Sequence, residues 1–222
     1  MSTLGLWLLS VGLAGLSASV AGPAAALLTA RGRARKLVER LPRTRIAEAG
    51  AGDLVKVVGR VEYEAEPLVS PFSGRACAHF EAGVEVRTKN GFRRRVEQVR
   101  STSFLVSDET GRALIEAERL LVDVVIDHHW ASGELDDETR FELEQFLFQA
   151  GPTGSRLLRD HARLRYVEGV LEQGELVTVV GVATWGRATE PGVGYRDLSR
   201  RLVLDPPRRG PVYVSDGAHF AS

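Results

Sequence analysis

Two side chains that could act together in covalent chemistry, Cys77 and His79, stand two positions apart. The residues around them are typical of a strand, in which alternate side chains share a face, so both are expected on one side. A cysteine beside a histidine can form a nucleophile–base pair. The alternative is a buried thiol next to an ordinary polar residue, and we favour it because free cysteine is among the most buried residue types. The sequence therefore predicts no catalytic residue.

A second group of residues has the chemistry of metal ligands. It consists of Asp123, Asp127, His128 and His129, with His161 further along the chain. Adjacent histidines on a strand point to opposite faces, so at most one of the pair could join a given aspartate. Cys77 is the only cysteine, which excludes zinc sites that need two or more thiolates. We predict neither a metal nor a cofactor.

The connection at residues 67–77, PLVSPFSGRAC, has the composition of a rigid recognition loop. Its two prolines and its glycine restrict the backbone, and its serines can cap local backbone groups. Rigid loops commonly preorganise recognition. The sequence predicts a binding site here and on the strand that follows, with Ser70, Pro71, Ser73, Gly74, Arg75, Cys77 and His79 as its residues.

A basic hairpin follows this loop. Its cations are Arg87, Lys89, Arg93, Arg94, Arg95 and Arg100. A solvated hairpin is the default interpretation, and contact with anionic lipid or an acidic partner is the functional one. Single-stranded nucleic acid is not expected, because Phe92 is the hairpin's only stacking platform and residues 46–222 carry a net charge of −6.

The elements that must position these residues are mostly strands. Alternating apolar patterns predict strands at residues 53–63, 76–87, 92–100, 103–107, 112–117, 120–126, 162–171, 176–185, 197–204 and 211–215. Asn90-Gly91 and residues 108–111 predict tight turns. One helix is expected at residues 136–149, which Gly151-Pro152 would end.

The fold class predicted from this pattern is mainly β: an antiparallel, barrel-like (OB-like) domain with one helical insertion. Gly59 lies inside the first strand, where a glycine usually marks a bulge or bend that suits barrel closure. GDLVKVVG at 52–59 is echoed by GELVTVVG at 174–181, with six of eight positions identical. The echo indicates strands in equivalent barrel positions, an old duplication, or convergence on a common strand pattern.

The N-terminal segment predicts a membrane anchor. Residues 3–30 are uncharged and mostly apolar, which is long enough to span a bilayer. A cleaved signal peptide is the alternative, but its basic residues would precede the apolar run. Here a basic stretch follows instead, at residues 31–50, and we expect it to be a juxtamembrane linker. Four of its residues are expected at anionic headgroups: Arg31, Arg33, Arg35 and Lys36.

The positive-inside rule then places the N-terminus outside and the remaining chain in the cytoplasm. Lys36, Lys56 and Lys89 are the only lysines among 29 basic residues, which is typical of a GC-rich, bacterial genome. The expected location is a bacterial cell membrane, crossed once.

Several segments in order resemble the GIDE/BAM domain family, the membrane-associated domain of MULAN-type ubiquitin ligases. They are GRVE at 59–62, PLVSPFSGRAC at 67–77, the D-x-T-G turn at 108–111, GELVTVVG at 174–181 and LDPPRRGPVYVS at 204–215. The resemblance covers residues 51–216 and leaves 217–222 as a tail. The ligases it points to carry a zinc-binding RING finger, for which this chain lacks the cysteines.

The resemblance therefore implies a prokaryotic form without intrinsic ubiquitin transfer. The function predicted from the sequence is a partner- or ligand-binding module, held by the lipid bilayer at the cytoplasmic surface. One alternative is a ligase-family component that acts with a separate RING chain. The other is a hydrolase that depends on Cys77 and His79.

Overall fold

Strands make up most of the structure, which is a computed structural model that describes residues 22–131, 137–159, 164–187, 200–208 and 210–217. The strands are β1 Leu54–Tyr63, β2 Leu68–Val69, β3 Ala76–Cys77, β4 His79–Thr88, β5 Gly91–Ser101, β6 Phe104–Asp108, β7 Gly111–Ile115, β8 Leu120–Asp123, β9 His128–Ala131, β10 Leu164–Leu171, β11 Leu176–Arg187, β12 Arg200–Asp205 and β13 Val212–Ser215. The helices are α1 Gly22–Arg40, α2 Asp137–Gln149 and α3 Gly151–Arg159, with a 3-10 turn at Ile46–Glu48. The mainly β prediction is confirmed.

Five of these strands close into a barrel. Their order is β1-β6-β7-β12-β11, and β11 pairs back to β1. All these pairings are antiparallel except β7 with β12. The inward-facing residues are mostly valine, leucine and alanine, whose burial supplies the main favourable free energy of folding. β13 extends the barrel sheet from β11, and β8 pairs with β13 in parallel.

The repeated sequence segments form the seam of this barrel. β1 and β11 pair from Leu54 opposite Val182 to Arg60 opposite Leu176. Gly59 lies where β1 begins to pair with β6. A Cβ atom there would lie 2.4 Å from the carbonyl oxygen of Ser107. The close approach of two backbones therefore requires glycine at this bend.

A second, four-stranded antiparallel sheet has the order β5-β4-β10-β9. β4 and β5 belong to the connection between β1 and β6, whereas β9 and β10 belong to the connection between β7 and β11. The two long connections of the barrel therefore build one sheet together.

Helices α2 and α3 cover one face of the second sheet. Leu143, Phe146 and Leu147 of α2 pack with Phe72, Phe80 and other buried residues there. The predicted end of a helix at Gly151-Pro152 is confirmed, but a second helix, α3, starts at once. Gly151 has a φ of +69°, which glycine adopts without strain.

Helix α1 packs on the barrel. Val38 is fully buried in a cluster with Leu121, Val180 and Tyr213. Ile46, beyond the helix, lies in the barrel core. Residues 31–50, expected to be a linker, are thus ordered against the barrel, because their apolar side chains are buried there.

The predicted membrane helix, residues 3–30, falls mostly outside the described residues. In the part of the chain that the structure describes, no helix combines the length and apolar character needed to cross a bilayer. Of the predicted tail, Gly217 is described and buried.

Candidate functional site

A buried carboxylate holds the predicted recognition loop in place. Glu168 on β10 has 0% exposed surface. It accepts hydrogen bonds from the backbone N–H of Phe72 (2.9 Å) and of Ser73 (3.2 Å). The hydroxyls of Ser70 (3.2 Å) and Ser73 also donate to it. A buried polar group is tolerated where hydrogen-bond partners surround it in this way, so the loop and Glu168 stabilise each other.

Arg75 ties the end of the same loop to the second sheet. Its guanidinium donates to both carboxylate oxygens of Asp127, at 2.8 and 3.1 Å, and to Glu172 at 3.2 Å. Its Nε donates to the hydroxyl of Ser73 at 2.9 Å. The hydrogen bond with Asp127 raises the pKa of Arg75, which remains charged. Arg75 therefore holds the end of the loop against Asp127 and Glu172.

The loop directs its polar and apolar groups differently from the prediction. Ser70, Ser73 and Arg75 use their polar atoms internally, as the contacts with Glu168 and Asp127 show. Val69, Ser70, Pro71 and Gly74 line a cavity on the surface. The part of the loop available to a ligand is thus mainly backbone and apolar side chain.

Cys77 and His79 lie in different surroundings. Cys77 is buried with Phe80, Ala82 and Val84, in the core beneath α2. On β4, Phe80 and His79 are neighbours and so face opposite sides. The expectation of one shared face is wrong because β3 ends at Cys77 and the alternation is broken at Ala78.

The protonation of both groups also argues against a catalytic pair. Burial raises the pKa of the Cys77 thiol to about 12, so it is protonated at neutral pH. Burial lowers the pKa of His79 to about 4, and its Nδ1 lies 2.8 Å from the Ser101 hydroxyl. A nucleophilic cysteine needs the opposite shift.

A groove runs between the recognition loop, β5 and α2. Its first cavity, of about 320 Å³, is lined by Val69, Ser70, Pro71, Gly74, Gln98, Phe141, Gln145, Phe146 and Gln149. An adjoining cavity of about 250 Å³ shares Gln98, Phe146 and Gln149 and adds Val96, Glu97, Arg100 and Ala150. The two cavities adjoin at these shared lining residues, and we call the pair together the β5–α2 groove.

Exposed apolar side chains lie at the mouth of this groove. Val69 is 67% exposed and Phe141 is 63% exposed. Beneath them the ring of Phe72 packs edge-on against Phe146, with 4.8 Å between ring centroids, and against Tyr166 at 5.8 Å. The groove is therefore lined by Phe146, whose ring is packed against Phe72, and by an apolar rim with three glutamine amides, a composition that suits ligand binding.

The cations of the basic hairpin have different environments. Arg94 is held by Glu81 (2.6 Å) and Glu97 (2.8 Å), and the guanidinium of Arg87 lies 5.8 Å from the Phe92 ring centroid. Arg93, Arg95 and Arg100 are exposed, and within the described residues none has an acidic partner. Lys89 is also exposed.

The four residues expected at lipid headgroups divide into two pairs. Arg31 donates to Glu81 at 3.1 Å, and Arg35 donates to Asp123 at 2.7 Å, so both are used in packing α1 on the fold. Arg33 and Lys36 are exposed.

The candidate metal ligands are engaged in other contacts. Asp123 accepts from Arg35 and from the Tyr213 hydroxyl at 2.8 Å, while Asp127 is paired with Arg75. His161 lies outside the described residues. Across the described ranges, no three histidine, cysteine or acidic side chains are grouped to hold a metal ion.

Sequence reasoning missed Glu168 and the contribution of α2. A single acid inside the apolar strand YVEGVL was the available signal for Glu168. Phe141, Gln145 and Gln149 recur every four residues, which places them on one helix face. That spacing alone does not reveal which strand faces them.

Comparison with known proteins adds no name to this site. No family model, no curated protein and no solved structure matches the chain. The resemblance to the GIDE/BAM domain family remains a prediction from the motifs.

Proposed function

We propose that the chain is a membrane-anchored binding module whose β5–α2 groove takes a segment of a partner protein. The observation that carries the proposal is the groove itself, which joins an apolar rim to a loop fixed by Glu168. A preorganised loop loses little conformational entropy when a ligand binds, which favours affinity.

A binding function fits the chemistry of the described residues better than a covalent one. Cys77 is protonated and buried, and His79 faces the other side of the sheet. The strand order also supports the OB-like interpretation, because five strands close into the barrel as they do in an OB-fold. Barrels of this kind are common binding scaffolds. Here both long connections are used to build the second sheet and the groove.

The anchor completes the proposal. Residues 3–30 would hold the module at the cytoplasmic face of a bilayer, as the sequence predicts. α1 would lead from the membrane to the barrel, because its packed end at Val38 follows Gly22 by sixteen residues, about 24 Å of helix. The GIDE/BAM resemblance implies the same arrangement of a binding domain beside a membrane.

The groove can be tested with a random twelve-residue peptide display library selected against the full chain in detergent. We expect selected peptides to bind wild type and to lose about tenfold in affinity with Phe141→Ala, which removes the apolar rim.

The matched control is Phe148→Ala. Phe148 is 73% exposed on the same helix but does not line the groove, so affinity should be unchanged. If no peptide is selected, or if both variants lose affinity equally, the groove is not the binding site.

A further inference from the structure

Strand β5 is a free edge of the second sheet. It pairs with β4 from Thr88 opposite Gly91 to His79 opposite Ser101, with one irregularity along the way. No strand in the described chain pairs with its other side. Half of the backbone donors and acceptors of β5 therefore point outward, where an added strand could bond to them.

The β5–α2 groove opens onto this free edge. Glu97 and its neighbours Val96 and Gln98 line the same cavity, although consecutive side chains of a strand point to opposite faces. A cavity that touches both faces of one strand must pass along its edge. Phe146 and Gln149 of α2 form the facing wall.

The regular part of the edge is set by a bulge. The register of β4 and β5 shifts between Val84 and Glu85, which leaves Arg95 opposite no residue of β4. Bulges end regular pairing and turn a strand. From Val96 to Ser101 the pairing is continuous, which gives six residues of regular edge. Four of them, Val96, Glu97, Gln98 and Arg100, line the groove.

The charge along this edge selects the occupant. Arg93 and Arg95 precede the regular stretch and Arg100 lies near its end, all three exposed and without acidic partners in the described residues. The one acid of the strand, Glu97, is paired with Arg94 at 2.8 Å. Two copies of β5 would bring like charges together, whereas an acidic strand would be attracted.

We propose that an acidic, extended segment of a partner protein adds to β5 as a fifth strand, over Val96 to Ser101. This rests on the proposed function of the groove and specifies how it is used. Alternate side chains of the segment enter the groove beside Phe141 and Gln145, and its carboxylates lie near Arg95 and Arg100. Main-chain hydrogen bonds give the affinity in this mode, and the pockets for alternate side chains give the specificity.

Backbone methylation of the probe tests strand addition. The tightest peptide from the library selection is synthesised in two forms, N-methylated at odd or at even positions across its central six residues. An added strand uses only alternate N–H groups, so one form should lose about tenfold or more in affinity while the other changes little. The selected peptides should also be enriched in aspartate and glutamate.

A charge reversal tests the electrostatic part. The double variant R95E/R100E should lose about tenfold in affinity for the acidic peptide, and the remaining affinity should depend less on salt. Arg208→Glu, a reversal at an exposed residue between β12 and β13, is the matched control and should have no effect.

The outcomes separate this inference from the proposed function. If peptides bind with the Phe141 dependence described above but both methylated forms bind equally, or neither binds, strand addition is wrong and the groove function stands. If no selected peptide loses affinity with Phe141→Ala, both this inference and the proposed function of the groove are wrong. A concentration-dependent dimer that excludes the peptide would assign the edge to a second copy and would also overturn the inference.

Discussion

At the scale of single residues, the most consequential side chain is Glu168. It is fully buried, and its partners are four donors from one loop. The chain thus places a carboxyl group in its interior and uses the donors of the loop to hydrogen-bond it. The shape of the groove depends on this arrangement, because the same loop forms one of its walls.

Replacing Glu168 with glutamine should destabilise the fold. The amide nitrogen would face donors where an acceptor is needed, leaving one or two N–H or O–H groups without a partner, at a cost of about 2 kcal/mol. Urea unfolding at neutral pH measures the change, with Glu66→Gln at an exposed position as the control. Equal stability of the two variants would mean that the loop is held by other contacts.

His79 should make the stability depend on pH. The folded protein keeps it neutral, because burial lowers its pKa to about 4 from the usual 6.5. The unfolded chain therefore binds a proton first, and the free energy of unfolding should fall as the pH drops from 6.5 towards 4, by up to about 3 kcal/mol. Arg31, Glu81 and Ser101 are the groups that act on this imidazole.

His79→Asn should remove that dependence. Asparagine keeps a polar atom for Ser101 but does not titrate, so its stability curve between pH 4 and 6.5 should be flatter than that of wild type. His129→Asn, at an exposed position, should leave the wild-type curve unchanged. A wild-type slope retained in His79→Asn would assign the titration to another group.

At the scale of elements, β1 depends on Gly59. An added methyl group would meet the carbonyl oxygen of Ser107 and the side chain of Val106, at 2.4 and 2.8 Å from the new carbon. Gly59→Ala should therefore lower the stability by about 2 kcal/mol or more, since one of the two strands must move. A shift in thermal midpoint measures it.

Gly186→Ala in β11 is the matched control. No atom lies within 4 Å of a Cβ atom built there, so alanine should be neutral or slightly stabilising. If Gly59→Ala behaves in the same way, the barrel seam is more adaptable than the close contact indicates.

Much of the element order can be predicted from the sequence. Alternating apolar residues located the barrel strands within a few residues. In β7 the burial alternates accordingly, whereas five consecutive residues of β1 are buried. β9 was missed since four residues, HHWA, contain too little pattern. α3 was missed because Gly151, Pro152 and Gly154 resemble a loop, although proline is well suited to a helix start.

The candidate site was predictable only in part. The recognition loop was found from its prolines and glycine, and four of its residues do line the groove. The opposite wall could not be found, because Phe141 follows the loop by about seventy residues and pairing across that distance leaves no local signal. The break at Ala78 was also hidden, and it separates Cys77 from His79.

At the scale of the whole molecule, the N-terminal segment should decide where the module resides. If the proposed anchor is correct, the full chain should remain in the membrane pellet after alkaline extraction. A chain that starts at Gly22 should be released, because residues 3–21 make up most of the proposed anchor. Near-UV circular dichroism of the shortened chain checks that the barrel is intact. Recovery of the full chain in the supernatant would contradict the anchor.

The second sheet joins two connections of the barrel that are far apart in sequence, and this limits which segments could be deleted from the protein. β4 lies in the connection between β1 and β6, and β10 lies in the connection between β7 and β11. The two strands nevertheless pair over eight consecutive residues, from Leu164 opposite Val86 to Leu171 opposite His79. Removing either connection alone would take away the strand that pairs with the other and leave an exposed, aggregation-prone strand edge. A minimal barrel made by protein engineering would therefore have to lose both connections at once.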